Sequence, residues 1–372
     1  MSREIPVSEP SISNLEKQYV LQALDSGWIS SSGFFVDSFQ ELWAQECGTK
    51  YCLAVSNGTV ALHLILLGLE IGAGDEVIVP SLTFIATANA VRYVGAVPIF
   101  CDVNIKTWCL DRNLVEEVFS SHTKAVIFVA LYGNTSGVEN LKHLCEERNI
   151  YLIEDAAEAP FASSSGQPTG SFGIASSFSF YGNKILTSGE GGAVVTSNSD
   201  LYQKMKLLRD QGMDPNNRYY FIEVGYNYRL TNLQCAVLCA QLERKIELLE
   251  KRKDIFQKYD EGLNKFGNFF RPRIYPEVVE SPWLYTIALK DPKFGTPKSL
   301  ALLLKEKGVD SRPIFIPIHT LPPYKGASSN HLPNTMYLSE RGITLPTYPS
   351  LSENELEVII KIVGSFLAGK RE

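Results

Sequence analysis

Three acids, one isolated lysine and two strand-end turns hold the residues of this sequence best suited to chemistry. In Tyr151-Leu-Ile-Glu154-Asp155-Ala-Ala-Glu158 an apolar strand runs straight into two carboxylates, with a third acid three residues on. A buried carboxylate is costly unless it meets a cation or donors. The pattern therefore asks for a counter-charge, either a metal or a protonated ring nitrogen; the competing reading makes Asp155 a helix N-cap. A metal wants more ligands than are gathered here, because the five histidines are scattered and no second acidic cluster matches. No metal is expected. Between Ser176 and Gly192 a single lysine, Lys184, lies in apolar and glycine-rich company, with Glu190 the only other charge. Such a lysine can be desolvated, which lowers its pKa and leaves a nucleophilic neutral amine. The alternative is a lysine that snorkels out from a loop.

Two turns complete the set. In Ser56-Asn57-Gly58-Thr59 the glycine lets the backbone approach a ligand, the N–H groups opening the next helix face an anion, and Thr59 adds a hydroxyl. An ordinary capped turn reads the same way. In Pro80-Ser-Leu-Thr83-Phe84-Ile-Ala-Thr87 the aromatic Phe84 can cover a flat ring or join the core. Together these stretches supply phosphate donors, a ring cover, an acid for a ring nitrogen and a nucleophilic lysine, which are the needs of pyridoxal 5′-phosphate (PLP). Neither Gly72-Ala-Gly74 nor Gly189-Glu-Gly-Gly192 supplies the G-x-G-x-x-G turn of a nicotinamide cofactor site.

The elements that must position these residues read as an α/β fold. Strand candidates are 51–55, 76–79, 97–100, 125–129, 151–154, 176–180 and 192–196, with helix-length segments such as 59–69, 84–93 and 138–148 between them. Continuous apolar strands separated by helices predict a mainly parallel seven-stranded sheet covered on both faces. A capping box, Ser13-x-x-Glu16, opens a first helix that stops at Gly27, and a second helix runs over 35–47. A long charged helix is expected over 233–259, after which the texture changes to a smaller α+β unit. That unit has a strand near 284–289, a helix near 298–307 and a last helix opened by Ser352-x-x-Glu355. The boundary is placed near residue 250, giving a large domain over 1–250 and a small one over 251–372, with the N-terminal helix expected against the small domain.

Composition excludes several classes. The chain has 372 residues, 45% hydrophobic, with 35 Lys+Arg against 41 Asp+Glu for a net charge of −6. Such a chain is neither disordered nor a general nucleic-acid binder. No apolar run approaches the ~18 residues of a membrane span, and the first residues lack a signal peptide's apolar region. Seven cysteines without a C-x-x-C read as buried, reduced thiols, so a cytoplasmic protein is expected.

A wider set of ordered motifs resembles a known family. Beside the stretches above stand Ala61-Leu-His63, Gly74-Asp-Glu-Val77-Ile-Val-Pro80, Ser177-Phe-Ser-Phe180, Gly182-x-Lys184 and Gly225-Tyr-Asn-Tyr-Arg229-Leu-Thr-Asn-Leu-Gln234. By these the chain resembles, over nearly its whole length, the sugar aminotransferases of the DegT/DnrJ/EryC1/StrS group, which are fold type I PLP enzymes. The resemblance implies Lys184 as the Schiff-base lysine, Asp155 as partner of the ring nitrogen and Glu158 near the ring oxygen. It implies Gly58, Thr59 and Ser179 at the phosphate and Phe84 over the ring. Asn227 would reach the phosphate of a neighbouring subunit, so a homodimer with shared sites is implied.

Further stretches, among them Trp28-Ile-Ser-Ser, Gln211-Gly-Met-Asp-Pro215-Asn-x-Arg218-Tyr and Ser311-Arg-Pro313-x-Phe-x-Pro317-x-His319, narrow the resemblance. They are similar to members that move an amino group from L-glutamate to C4 of a GDP-linked 4-keto-6-deoxy sugar, with pyridoxamine phosphate formed between the half-reactions. Amination of a dTDP- or UDP-linked keto sugar at C3 or C4 stays open. Arg218, Arg229, Arg312 and His319 are candidates for the diphosphate or sugar hydroxyls, since arginine forks suit phosphate oxygens; surface or interface roles compete. Ala130-Leu-Tyr-Gly133 departs from the His that relatives commonly carry at its first position. The rival class is a PLP-dependent sugar dehydratase, in one branch of which a histidine stands in the lysine's place.

Overall fold

A computed structural model describes residues 4–326 and 331–369. All seven apolar runs form strands: β1 Tyr51–Val55, β2 Glu76–Pro80, β3 Val97–Cys101, β4 Thr123–Val129, β5 Tyr151–Asp155, β6 Ala175–Ser179 and β7 Gly192–Thr196. They build one sheet in the order β1-β7-β6-β5-β4-β2-β3. Only β7 runs against its neighbours, pairing antiparallel with both β1 and β6, whereas β2 to β6 pair in parallel. The strands lack polar alternation because both faces are covered. On one face Leu64, Ile65, Val91 and Met205 of the helices Gly58–Gly68, Ala86–Tyr93 and Ser199–Arg209 pack on the sheet. On the other, Leu141 and Leu144 of Val138–Arg148 join Trp108 and Phe128.

A second, antiparallel sheet follows: β8 Phe269–Phe270, β9 Thr286–Leu289, β10 Arg312–Pro313 and β11 Gly342–Thr344, in the order β8-β9-β11-β10. The helices Lys245–Leu263, Pro297–Glu306 and Glu353–Leu367 pack on it around Tyr259, Tyr285, Ile287 and Ile359. The capping boxes at Ser13 and Ser352 both form. All seven cysteines are free and buried. Among the described residues no helix is long and apolar enough to cross a membrane.

Two elements differ from expectation. The helix expected over 233–259 is two, Asn232–Glu243 and Lys245–Leu263, broken at Arg244 with φ −92° and ψ 5°. The Arg244 guanidinium is held by Glu16, Glu247 and the carbonyl of Ser11. The bend lets the first half pack on the N-terminal helices and the second half on the small sheet. The N-terminal helix, Asn14–Asp25, packs on Asn232–Glu243 with Ala23 in the core around Trp43, not on the C-terminal unit. It is the extended chain before it that reaches that unit. Ile5 bridges Val309, and the Thr347 N–H donates to the Val7 carbonyl at 2.9 Å.

Candidate active site

Ligand sites of open α/β sheets lie beyond the carboxyl ends of the strands. Here the ends of β1, β2, β4, β5 and β6 border one cavity of about 560 Å³, lined by Gly58, Thr59, Ser179, Asp155, Glu158 and Lys184, with Phe84 and Arg312 also on its wall. In the strand register Val55, Gly192 and Ser179 lie side by side. The turn Asn57-Gly58 therefore crosses directly over β6. A Cβ on Gly58 would stand 3.0 Å from that of Ser179, so the close approach favours glycine. Asn57 caps the helix by accepting the Val60 N–H at 3.0 Å. That leaves the first-turn N–H groups of Gly58 and Thr59 for a ligand, at the positive end of the helix dipole.

Lys184 sits in the connection from β6 to β7, where its N–H donates to the Tyr181 carbonyl at 2.9 Å and fixes a turn. Its side chain is 12% exposed, and Nζ lies 3.9 Å from Glu158 Oε1. Burial pushes the lysine down, and Glu158 and Asp155 pull it back up. Asp155 ends β5. It accepts the Thr87 hydroxyl at 2.7 Å and the Ala157 N–H at 3.3 Å, yet burial still pushes it up. Glu158 accepts the Tyr132 N–H at 2.7 Å, and burial raises it to about 7 against the pull of Lys184. Glu154, one residue before Asp155, faces away. It accepts the N–H groups of Gly170, Phe172 and Gly173 and the Ser176 hydroxyl at 2.7–3.0 Å.

The other predicted residues lie elsewhere. Asn227 is exposed, bridging Asp210. Arg229 bridges Val55, because the segment 226–229 lies along the edge of β1, where the Ser56 N–H donates to the Tyr228 carbonyl. Arg218 is exposed beside Tyr219. His319 Nδ1 is paired with the Ser81 hydroxyl at 2.6 Å, which clamps the C-terminal unit onto the turn preceding Phe84. Three site residues escape the sequence patterns: Thr87, Tyr132 and Trp283. Thr87 stands inside a quoted motif, and Trp283 opens an aromatic run ahead of β9, away from any carboxyl strand end. Tyr132 contributes through its N–H, which no side-chain pattern announces.

The cavity fits PLP on its own evidence. Asp155 and Glu158 are desolvated carboxylates that a cationic ring would relieve, two N–H groups open on the same space, and Lys184 is the amine beside them. Comparison with known proteins agrees. A GDP-perosamine synthase of Caulobacter vibrioides is 41% identical over 98% of each chain. The aminotransferase TlmJ of Streptoalloteichus hindustanus superposes with a TM-score of 0.93, 28% identity and coverage of 98% of this chain and 99% of that one. Spr1654 of Streptococcus pneumoniae, in its PLP form, gives a TM-score of 0.92 at 27% identity, covering 99% of this chain and all of the other. Residues 10–364 match the model of the DegT/DnrJ/EryC1/StrS aminotransferase family, and the chain belongs to that family.

Proposed function

We propose that the chain uses PLP to move an amino group from L-glutamate to C4 of a GDP-linked 4-keto-6-deoxy-mannose, giving GDP-perosamine. The observation that carries this is the full-length likeness to a GDP-perosamine synthase combined with one desolvated lysine between two buried carboxylates. When bound, PLP supplies an aldehyde for an amine and a cationic ring that takes up the electron pair left when a Cα proton departs.

The chain's own residues then have distinct parts. Gly58 and Thr59 N–H groups, with the Thr59 and Ser179 hydroxyls, hold the phosphate. Asp155, oriented by Thr87, keeps the ring nitrogen protonated, and the charge it faces offsets its burial. Glu158, fixed by the Tyr132 N–H, would stand near the ring oxygen, and Phe84 would cover the ring. Lys184 Nζ would be the amine that holds the cofactor aldehyde and, once freed, the base that would move the substrate Cα proton. A single amine suffices because the proton path is short. Arg312, on the cavity wall, takes an anionic part of a substrate. The exposed position of Asn227 suits a contact across a homodimer interface, where it would meet the phosphate of a second copy.

The test incubates the PLP-loaded protein and glutamate with GDP-, dTDP- and UDP-linked 4-keto sugars and reads the products by mass spectrometry. Amination of the GDP substrate at C4 is expected; turnover of only a dTDP or UDP substrate would overturn the sugar assignment and leave the aminotransferase. Loss of the sugar C3 hydroxyl without amination would make the chain a dehydratase. Lys184→Ala should retain pyridoxamine phosphate and lose turnover by more than about 10⁴-fold.

A further inference from the structure

Trp283 has no part in the scheme above, yet its ring lies as near the lysine's charge as the Glu158 carboxylate does. It enters from the C-terminal unit, ahead of β9, and is 4% exposed. Lys184 Nζ lies 3.9 Å from the centroid of its ring. Among the described residues Nζ donates no hydrogen bond, and the carboxylate oxygen within reach, Glu158 Oε1, is also 3.9 Å away, beyond hydrogen-bond distance. The negative face of the indole is thus as close to the ammonium as any formal charge, in a buried setting where cation–π attraction is strongest.

The ring is fixed from several sides. Its N–H donates to the carbonyl of Asn183, the residue before Lys184, at 2.8 Å. It stacks on Tyr132 at 5.9 Å and 22°, and the Tyr132 N–H in turn holds Glu158. The carbonyl of Trp283 accepts from the buried Arg252, which also binds the Thr347 carbonyl. Gly133 closes the arrangement. With φ +87°, a Cβ there would fall 1.9 Å from the Ser281 oxygen, so only glycine lets the turn after β4 press against the chain leading to Trp283. Side chains this well held are suited to holding another.

We infer that Trp283 is a positioning residue for Lys184: its indole face retains the freed ammonium and its N–H latches the loop that carries it. The consequence for turnover rests on the transamination reading, in which the lysine is needed once as a bond and once as a free base. The contact itself does not depend on that reading. The charged or titratable groups sharing the cavity are Glu158 and Asp155 after β5, Tyr132 after β4, Tyr181 and Glu190 from the lysine's own loop, and Arg312 from the small sheet. Both carboxylates favour the ammonium, as the ring does, so the ring's share is found by changing the ring alone.

The full-length chain, free of cofactor, is acylated with a small amine reagent across a pH series, and modification of Lys184 is followed by peptide mass spectrometry. Tryptophans carrying successive fluorines are placed at position 283; they keep shape and N–H while draining the ring face. The midpoint for Lys184 should fall stepwise, by about one unit for the most fluorinated ring, which is tenfold more neutral amine at a given pH. Trp283→Leu should lower it at least as far. Trp283→Phe should keep most of the midpoint while weakening the latch, lowering kcat several-fold with the KM for glutamate unchanged. A midpoint that stays level across the fluorinated series overturns the inference, whatever turnover does. This readout needs neither cofactor nor amino transfer, so absence of product with every keto sugar would instead strike the reaction assigned above.

Discussion

Glu154 and Asp155 are consecutive acids on one strand, and they live in opposite worlds. Strand geometry sends their side chains to opposite faces. Glu154 points to the face where the 170–173 turn closes over it, and three N–H groups and a hydroxyl meet its two oxygens. Asp155 points to the cavity with the Thr87 and Ser177 hydroxyls and one long N–H contact, and Glu158 joins it with a single N–H. Burial pushes all three carboxyls upward. What separates them is what offsets that burial: backbone donors and a hydroxyl supplied by the fold for Glu154, and fewer donors together with the Lys184 charge for the other two. A saturated acid is a structural fastener, whereas an undersupplied one keeps capacity for a ligand.

Substitutions can break this contrast. Asp155→Asn should cost the largest amount, about 10²–10³-fold in kcat, while raising or sparing the melting temperature of the cofactor-free protein; an equal loss of both activity and stability would put Asp155 in the same class as Glu154. Glu158 gives a pH signature. Its folded carboxyl holds a proton up to about 7, against an ordinary value of 4.5. Between those values the folded chain binds more protons than the unfolded one. Stability of the cofactor-free protein should therefore fall by roughly 3 kcal/mol as pH rises through that window. Thermal melts should show the slope diminished in Glu158→Gln.

Glu154→Gln should cost about 2–3 kcal/mol in denaturant unfolding, because its amide NH₂ would face the Gly170 N–H, and leave kcat per folded molecule within about twofold. Ser176→Ala removes one donor of four and should cost about 1 kcal/mol with no kinetic effect. If it altered the cofactor spectrum, the separation of the two faces would be incomplete.

The same contrast explains what could be read beforehand. The seven strands of the large sheet were legible because a strand buried on both faces needs an uninterrupted apolar run, and Lys184 was legible because charge is scarce around it. Asp155 and Glu158 were visible as acids at a strand end. Their difference from Glu154 was not, since the donors that saturate Glu154 come from 170–176 and are recognised only once folded. Asn227, Arg218 and Arg229 carry family motifs but stand outside the cavity of a single chain. His319 is engaged with Ser81. The helix break at Arg244 was hidden because a bend imposed by ion pairs to Glu16 and Glu247 leaves helical periodicity intact on both sides. Trp283 was missed because its ring meets the lysine only through tertiary contact.

The backbone oxygen of Asn183 collects two visitors, the Ser8 hydroxyl at 3.4 Å and the Trp283 indole at 2.8 Å. During translation these arrive far apart in time. Ile5 and Val7 wait for Val309 and Thr347, made some 300 residues later, at a ribosomal pace of about 5–20 residues per second. The Lys184 amine can thus be synthesised, and the large sheet largely assembled, well before its surroundings are sealed. A nascent chain paused after residue 250 would lack Trp283, Arg312 and Phe315, so the wall of the Lys184 cavity is completed only by the last-made third.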